Sequence, residues 1–208
     1  MPASWIEQLP QSPAIAVIRS PSREVGLQLG KAVAAGGIRS IEITWNSDRP
    51  AALVAALRAE LPHCHIGAGT LLTESALQDA IAAGAQFLFS PHTNERLIEI
   101  ARNRAVPIVP GALSPSEIVC AWQAGASCVK VFPVQAVGGE RYIRSLQGPL
   151  GDIPLIPTGG VTLDNAVDFL AAGAIAVGLS SHLFPAEAIQ TGNWQTVTQR
   201  TQQLMQKL

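Results

Sequence analysis

The sequence predicts an α/β protein, a single (β/α)8 barrel of the TIM type. Short β-prone runs alternate with amphipathic helical segments, eight times along the chain. Ala-Gly-Ala turns recur just before strands, at residues 83–85, 124–126 and 172–174, as is typical of helix ends. From Ala14 to Ala174 the starts of the eight runs lie about 23 residues apart, which is compact but within the usual range of this barrel.

The β-prone runs define the order of the predicted units. They are Ala14–Arg19, Ser40–Trp45, His65–Thr70, Gln86–Pro91, Pro107–Ala112, Cys128–Pro133, Pro154–Gly160 and Ala174–Ser180. Helical periodicity separates them, for example over Arg23–Ala35 and Ala51–Leu61. A short helix within residues 2–9 is expected to close the bottom of the barrel. No linker divides residues 1–208, so one domain is predicted.

A doubly wound open sheet is the alternative architecture. It needs fewer strands and usually carries a GxGxxG turn after the first one, and no such motif follows Arg19. The barrel is therefore favoured. Since barrel active sites lie at the carboxyl ends of the strands, polar residues at those ends are the functional candidates.

Composition narrows the classes of function. Hydrophobic residues make up 48% of the chain, charged residues 14%, and the formal net charge is −1, so nothing suggests binding to nucleic acid. No apolar run approaches the roughly 20 residues that a membrane helix needs, and no signal peptide is seen. Three cysteines without a CxxC pair, Cys64, Cys120 and Cys128, favour a reduced, cytoplasmic protein.

Lys130 interrupts an apolar run, Cys128–Pro133, that is predicted to be a buried strand. Of the three lysines, the other two lie in a predicted helix and in the C-terminal tail. Lysines are almost never fully buried unless paired, and burial favours the neutral amine. Because a neutral amine is the nucleophile that forms a Schiff base with a ketone, this position predicts Schiff-base chemistry.

Glu42 is a second charged residue inside an apolar strand. Alternation along Ser40–Trp45 places Glu42 and Thr44 on one face, where both can point into the barrel with Lys130. A carboxylate beside the amine can relay protons during imine formation and carbon–carbon cleavage. The competing interpretation is a structural ion pair between Glu42 and Lys130, since such pairs also perturb pKa values.

Other polar groups stand at the predicted strand ends. Arg19 and Thr70 suit a substrate carboxylate. Thr158 and Gly159–Gly160 let backbone N–H groups approach an anion beside a helix expected to start near Thr162, and barrels often bind phosphate after their last two strands. Ser180 ends the last strand. Taken singly, each of these groups is more often a turn or a helix cap.

The positions of the histidines and cysteines in the sequence do not indicate a metal site. His63, His65 and His182 are interpreted as surface or packing residues, and His92, at a strand end, is left open. No His/Asp/Glu cluster has the spacing of a metal site, so metal catalysis is disfavoured. Cys128 is interpreted as a small core residue rather than a nucleophile.

Four segments together resemble the family of 2-keto-3-deoxy-6-phosphogluconate (KDPG) and 4-hydroxy-2-oxoglutarate (KHG) aldolases. They are GGIRSIEIT at residues 36–44, GAGT at 67–70, VKVFP at 129–133 and PTGGV at 157–161. They occur in order and at barrel spacing, and the resemblance runs from Ala14 to the region of Phe184.

The resemblance implies a metal-free class I aldolase on a (β/α)8 barrel, usually a homotrimer, with no cofactor beyond the covalent lysine Schiff base. Lys130 falls on the Schiff-base lysine and Glu42 on the general acid/base. Thr70 and Pro91 fall on the pyruvate pocket, with Phe132 beside it. The remaining matches are the basic position Arg19 and the phosphate-binding region of Gly159, Gly160 and Ser180.

Two positions depart from the family pattern. Family members commonly carry an arginine shortly after the Glu-x-Thr motif, where this chain has Asn46, and Arg49 is the possible substitute. Leu179 interrupts the small-residue run of the last loop. Both departures concern the distal end of the substrate, and neither touches Lys130 or Glu42.

The expected reaction is reversible cleavage of a 2-keto-4-hydroxy acid. KDPG would give pyruvate and glyceraldehyde 3-phosphate, and KHG would give pyruvate and glyoxylate. Decarboxylation of oxaloacetate is a competing activity, since loss of CO2 leaves the same enamine. Two other classes remain open, a phosphosugar isomerase or epimerase and a non-catalytic barrel that binds a small anion.

Overall fold

A computed structural model describes residues 5–208, in which parallel strands alternate with helices. The strands are β1 (Ala14–Ile18), β2 (Ser40–Thr44), β3 (His65–Gly69), β4 (Leu88–Phe89), β5 (Ile108–Val109), β6 (Gly111–Ala112), β7 (Val129–Val131), β8 (Leu155–Pro157) and β9 (Val177–Leu179). The α-helices are α1 (Trp5–Gln8), α2 (Arg23–Ala35), α3 (Pro50–Glu60), α4 (Glu74–Ala82), α5 (Glu95–Asn103), α6 (Pro115–Gln123), α7 (Glu140–Leu150), α8 (Ala166–Ala171), α9 (Ala186–Thr191) and α10 (Trp194–Lys207). Residues 2–4 of the predicted N-terminal helix lie outside the described residues.

The strands form two parallel sheets. One has six strands in the order β5-β4-β3-β2-β1-β9, and the other has three in the order β6-β7-β8. Strands β5 and β6 are one segment of chain interrupted at Pro110, which has no N–H to donate to a ladder. A parallel bridge between Thr158 and Gly178 connects the end of β8 to β9. The structure confirms an α/β fold with a curled parallel sheet, and closure into an eight-stranded barrel stays a prediction.

Every predicted β-prone run contains a strand, but the strands are shorter than the runs. The polar and proline residues at the carboxyl ends of the runs belong to loops, as at Ser90-Pro91 after β4. Helix α2 has the predicted bounds. Helix α3 begins at Pro50, one residue before the prediction, because proline is tolerated in the first turn of a helix.

The inside of the sheet is filled by an aromatic cluster at its amino end. Trp5 stacks on Phe87 with ring centroids 4.1 Å apart, and Phe89 packs edge-on against both rings. The indole N–H of Trp5 also donates to Ser40 Oγ at 2.9 Å. This packing closes one end of the sheet and leaves the carboxyl ends of the strands as the open end.

The helices cover the outside of the sheets through a larger apolar cluster. Their ends are capped locally. Ser22 accepts from the N–H of Val25 at the start of α2, and Ser114 and Glu117 form a capping box at α6. Among residues 5–208, no helix is long and apolar enough to cross a membrane.

Candidate active site

A cavity of about 530 Å³ opens at the carboxyl ends of the strands. Every site residue predicted from the sequence lines it: Arg19, Glu42, Thr44, Thr70, Pro91, Lys130, Phe132, Thr158, Gly159, Gly160 and Ser180. The chain therefore brings together groups that are up to 161 positions apart in the sequence, from Arg19 to Ser180. The chemical roles of these residues stay predictions.

Lys130 is held by the middle of β7. Its backbone N–H donates to the carbonyl of Pro110 at 2.9 Å, and its neighbours Val129 and Val131 are fully buried. The side chain is only 6% exposed. Its Nζ lies 4.7 Å from the centroid of the Phe132 ring and 5.7 Å from that of Phe89. Aromatic packing thus fixes the amine in a largely dehydrated place.

Glu42 is the carboxyl group of the same cavity. It lies on β2, in register with Val17 of β1 and Gly67 of β3, and is 1% exposed. Burial raises the pKa of Glu42, and the opposing positive charges of Lys130 and Arg19 reduce this shift without cancelling it. A carboxyl group whose pKa is moved toward neutrality is suited to exchange protons.

The structural ion pair between Lys130 and Glu42 is not formed. Of the ion pairs found within residues 5–208, at a limit of 4.0 Å between nitrogen and oxygen, none involves either side chain. The Oε1 atom of Glu42 is buried and has no hydrogen-bond partner in the described part of the chain. The two groups line one cavity, with the Lys130 nitrogen more than 4.0 Å from the carboxyl oxygens of Glu42.

Gly69 makes room for the Glu42 carboxylate. A Cβ atom added at Gly69 would overlap the Glu42 carboxylate. The backbone there cannot move freely, because the N–H of Trp45 donates to the Gly69 carbonyl at 2.7 Å. Thr70 follows with a φ of 58°, a left-handed conformation that is uncommon for threonine. Sequence patterns did not reveal this role of the GAGT motif.

The other end of the cavity is formed by the turn after β8. Gly159 and Gly160 have φ values of 82° and 98°, which glycine adopts without strain. Within residues 5–208 the N–H of Gly160 donates to no backbone or side-chain acceptor, while Asn165 Nδ2 donates to the Gly160 carbonyl at 3.0 Å. A fixed turn with a free N–H is suited to an anion.

The predicted helix start near Thr162 is wrong. Helix α8 begins at Ala166. The N–H of Thr162 donates to Asn165 Oδ1 at 2.7 Å, and Thr162 Oγ1 accepts from the N–H groups of Asp164 and Asn165 at 3.2 and 3.1 Å. These side chains satisfy the backbone as a turn instead of a helix, so the N-terminus of α8 does not lie beside Gly160 in sequence.

Arg19 is the arginine of the cavity, and Arg49 is not. Arg19 Nε donates to Asn46 Oδ1 at 3.2 Å. Arg49, considered as a substitute for the family arginine, is absent from the residues lining the cavity and pairs instead with Asp48 at 3.3 Å and Glu24 at 3.8 Å. Arg49 therefore does not replace the missing arginine in this conformation.

Several lining residues were not predicted, namely Val17, Gln135, Val161, Gly178, Ser181 and His182. His182 is exposed, as expected for a surface residue, but it also lies at the rim of the cavity. Its carbonyl accepts from Arg200 Nε at 2.8 Å, and the following Leu183 is fully buried. The position of His182 in the sequence could have indicated this place at the rim, because it lies two residues after Ser180, in the loop that follows the last strand.

A neighbouring cavity of about 660 Å³ shares Pro91 and Phe132 with the first and includes His92. His92 is therefore not a residue of the cavity that holds Lys130. Cys128 is fully buried, and burial raises the pKa of its thiol to about 12, consistent with a core residue. No group of three or more His, Cys, Asp or Glu side chains that could hold a metal is found within residues 5–208.

Known proteins share this fold and sequence over nearly the whole chain. A family model described as KDPG and KHG aldolase matches residues 6–200. The 2-dehydro-3-deoxy-phosphogluconate aldolase of Treponema pallidum (strain Nichols) is 36% identical over 200 residues, which cover 96% of this chain and 95% of the relative. The KHG/KDPG aldolase of Escherichia coli (strain K12) is 32% identical over 190 residues, which cover 91% and 89%.

A solved structure matches equally well. The KDPG aldolase of Legionella pneumophila, with pyruvate captured at low pH as a covalent carbinolamine intermediate, has a TM-score of 0.88 and 30% identity and covers 97% of this chain and 98% of its own. Sequence and backbone thus agree over the same extent. The chain belongs to the family of KDPG and KHG aldolases.

Proposed function

We propose that the protein is a class I aldolase that cleaves a 2-keto-4-hydroxy acid through a Schiff base on Lys130. The observation that carries this proposal is the pair of buried groups, Lys130 and Glu42, in one cavity without an ion pair between them. The substrates are KDPG, which gives pyruvate and glyceraldehyde 3-phosphate, and KHG, which gives pyruvate and glyoxylate. These compounds appear in the names of the relatives above.

Imine formation uses both buried groups. Lys130 Nζ passes a proton to Glu42 and attacks the C2 ketone; the ketone oxygen takes up a second proton from Nζ, which gives a carbinolamine. Glu42 donates a proton to the departing hydroxyl, directly or through one water, and water leaves as the iminium forms. The raised pKa of Glu42 supports this role, because burial keeps a proton available at higher pH than on an exposed carboxyl group.

Carbon–carbon cleavage follows from the iminium. The electron pair of the C3–C4 bond moves into the iminium, while Glu42, now a carboxylate, accepts the proton of the C4 hydroxyl and the aldehyde leaves. Glu42 returns its proton to C3 of the enamine that remains, and water hydrolyses the resulting iminium to release pyruvate and free Lys130. Oxaloacetate is a second substrate of the same site, because loss of CO2 from its iminium leaves the same enamine.

The other lining residues divide between the two ends of the substrate. Around Lys130, the pyruvate end is bounded by Thr44, Thr70, Pro91 and Phe132. Arg19 is level with Thr44 and suits the carboxylate at this end. The distal end, with its phosphate or carboxylate, meets Thr158, Gly159, Gly160 and Ser180. The free N–H of Gly160 supports the assignment of an anion to that end.

The architecture proposed with this function is a closed (β/α)8 barrel that forms one domain, assembled as a homotrimer in the cytoplasm. Closure is supported by the continuous segment through β5 and β6 and by the bridge between Thr158 and Gly178. The homotrimer is supported by a structural neighbour with a TM-score of 0.85 and 28% identity, a protein cage designed by fusing symmetric oligomeric domains. Light scattering on the purified protein measures the oligomeric state directly.

Borohydride reduction in the presence of pyruvate tests the proposed chemistry. We expect peptide mass analysis to find a reduced pyruvyl adduct on Lys130. Lys31 is the matched control, since it is an exposed lysine that pairs with Glu60, and it should remain unmodified. A folded protein that forms no adduct on Lys130 at saturating pyruvate would contradict the mechanism. That result would favour the two other classes, a phosphosugar isomerase or epimerase and a non-catalytic barrel that binds a small anion.

A further inference from the structure

The turn after β8 carries two backbone N–H groups that are free to bind an anion. Gly160 and Val161 both line the cavity, and within residues 5–208 the N–H groups of these two residues donate to no backbone or side-chain acceptor. The φ of Gly160, 98°, is one that glycine adopts without strain. Because backbone N–H groups without a partner favour a negatively charged ligand, the directions in which these two groups point matter for the distal end of the substrate.

Each of these N–H groups belongs to a peptide unit whose carbonyl is held by a hydrogen bond. A trans peptide is planar, and its carbonyl and N–H point in opposite directions, so a contact to the carbonyl also sets the direction of the N–H. The carbonyl of Gly159, in one unit with the N–H of Gly160, accepts from the N–H of Gln135 at 3.1 Å. The carbonyl of Gly160, in one unit with the N–H of Val161, accepts from Asn165 Nδ2 at 3.0 Å. The second donor is therefore set by a side chain.

The amide of Asn165 is fully engaged by this turn. While its Nδ2 donates to the Gly160 carbonyl, its Oδ1 accepts from the N–H of Thr162 at 2.7 Å. The backbone partners set the orientation of the amide, because a carbonyl only accepts and an N–H only donates. Asn165 thereby holds both ends of the segment from Gly160 to Thr162, which has Val161 at its centre.

The place of Asn165 in the chain makes these contacts informative. It immediately precedes Ala166, the first residue of α8, where an asparagine side chain commonly caps the helix by accepting from a backbone N–H two or three residues later. Asn165 makes no such side-chain cap. Its carbonyl begins the helix by accepting from the N–H groups of Asp168 and Phe169 at 3.1 and 3.2 Å, while its side chain turns back to Gly160. The side chain thus serves the turn and not the helix.

The segment that carries Asn165 is itself anchored. Thr162 Oγ1 accepts from the N–H of Asn165 at 3.1 Å. Lys207, at the end of α10, donates from Nζ to the Leu163 carbonyl at 3.1 Å and to Asp164 Oδ1 at 2.8 Å, and Leu163 is buried. Because the backbone on both sides of Asn165 is held, its amide presents the donor and the acceptor from a fixed base.

We propose that Asn165 is a positioning residue, which fixes the direction of the Val161 N–H toward the distal phosphate of the substrate. This inference rests on the proposed function. Asn165 is absent from the residues that line the cavity, so it acts through the turn and not by touching the substrate. A donor that is already oriented loses less freedom on binding. Because one neutral hydrogen bond has a modest effect, we expect N165A to raise KM for KDPG by about 3- to 10-fold.

Aldol addition with two aldehydes that differ only in the phosphate tests this inference. Pyruvate is combined with glyceraldehyde 3-phosphate or with glyceraldehyde, and kcat/KM for each aldehyde is measured. We expect N165A to lower kcat/KM for the phosphorylated aldehyde by about 3- to 10-fold, through KM, and to leave kcat/KM for glyceraldehyde within about twofold. N165D should lower the preference for the phosphorylated aldehyde further, because a carboxylate would face the Gly160 carbonyl and repel the phosphate.

The controls separate this inference from the proposed function. Asn193 Oδ1 also accepts from a backbone N–H, that of Thr196 at 3.2 Å, and lies outside the lining of the cavity, so N193A should leave the preference between the two aldehydes unchanged. Pyruvate has no phosphate, so its trapping on Lys130 should be equal in N165A and the parent chain. An unchanged preference in N165A, an equal loss with both aldehydes, or impaired pyruvate trapping in N165A would each overturn the inference, whereas failure of trapping in the parent chain would overturn the proposed function.

Discussion

Replacing Gly69 with alanine should disable the site without altering any group that reacts. The added Cβ would occupy the space of the Glu42 carboxylate. The strand cannot withdraw, since Gly69 is paired with Thr44 and accepts from the N–H of Trp45 at 2.7 Å. The carboxylate must therefore move from the position that it holds in the cavity with Lys130.

The size of the effect follows from this displacement. Moving a catalytic group by about 1 Å costs about 10²-fold in rate, and loss of general acid/base catalysis costs about 10²–10⁴-fold. We expect kcat/KM of G69A to fall by about 10²–10³-fold. Overpacking costs about 1–3 kcal/mol, so Tm should fall by roughly 3–10 °C for a chain of this size.

The assay is steady-state cleavage of KDPG and KHG, followed through the release of pyruvate, together with thermal unfolding. G148A is the matched control, because a Cβ at Gly148 meets nothing within 4 Å, and it should retain full activity. E42A removes the carboxylate with which the Cβ added in G69A collides, so G69A should add little to the loss already caused by E42A. Activity of G69A within about threefold of the parent, or a full additional loss in the E42A background, would refute the reasoning.

Three further outcomes are expected. Burial raises the pKa of Glu42, so the folded state is penalised as pH rises from the ordinary carboxyl range through the raised pKa; E42Q should therefore be inactive yet have a higher Tm than the parent at neutral pH, and the gain should disappear in acid. G160V places a side chain at a φ of 98° and against Gln135, so it should raise KM for KDPG far more than for KHG, and equal rises would argue against a phosphate at this turn. H182A should raise KM for KDPG by a few-fold while H63A, an exposed histidine outside this cavity, has no effect; identical kinetics of the two variants would remove His182 from substrate recognition.

The sequence singles out Lys130 and Glu42 because a buried strand has few reasons to hold a charge. Lys130 and Glu42 each interrupt an apolar run. This pattern can be recognised in the sequence without knowing which residues contact each other. Alternation in β2 also places Glu42 and Thr44 on one face, and both line the cavity. All the predicted site residues line this one cavity, and their roles in binding and catalysis stay predictions.

Two kinds of feature could not be predicted from sequence patterns. One is the contacts of loop residues, and the other is the space that a glycine leaves open because it has no Cβ atom. Gly69 matters because a Cβ atom at this position would overlap the Glu42 carboxylate. Sequence periodicity does not show which atoms a missing Cβ would contact. The start of α8 depends on two side chains, Thr162 and Asn165, that satisfy the backbone locally. The choice between Asn46 and Arg49 depends on the direction of loop side chains, which spacing along the chain does not determine.

The aromatic stack behind the cavity has a consequence for engineering the substrate range. Each of Trp5, Phe87 and Phe89 contacts the other two, and the centroid of the Phe89 ring lies 5.7 Å from Lys130 Nζ. A library that varies this stack would disturb the lysine in every member and yield mostly inactive enzymes. Diversity is better introduced at the opposite wall, over residues 180–182, where Ser180, Ser181 and His182 are exposed and a new aldehyde can be accommodated while the amine stays in place.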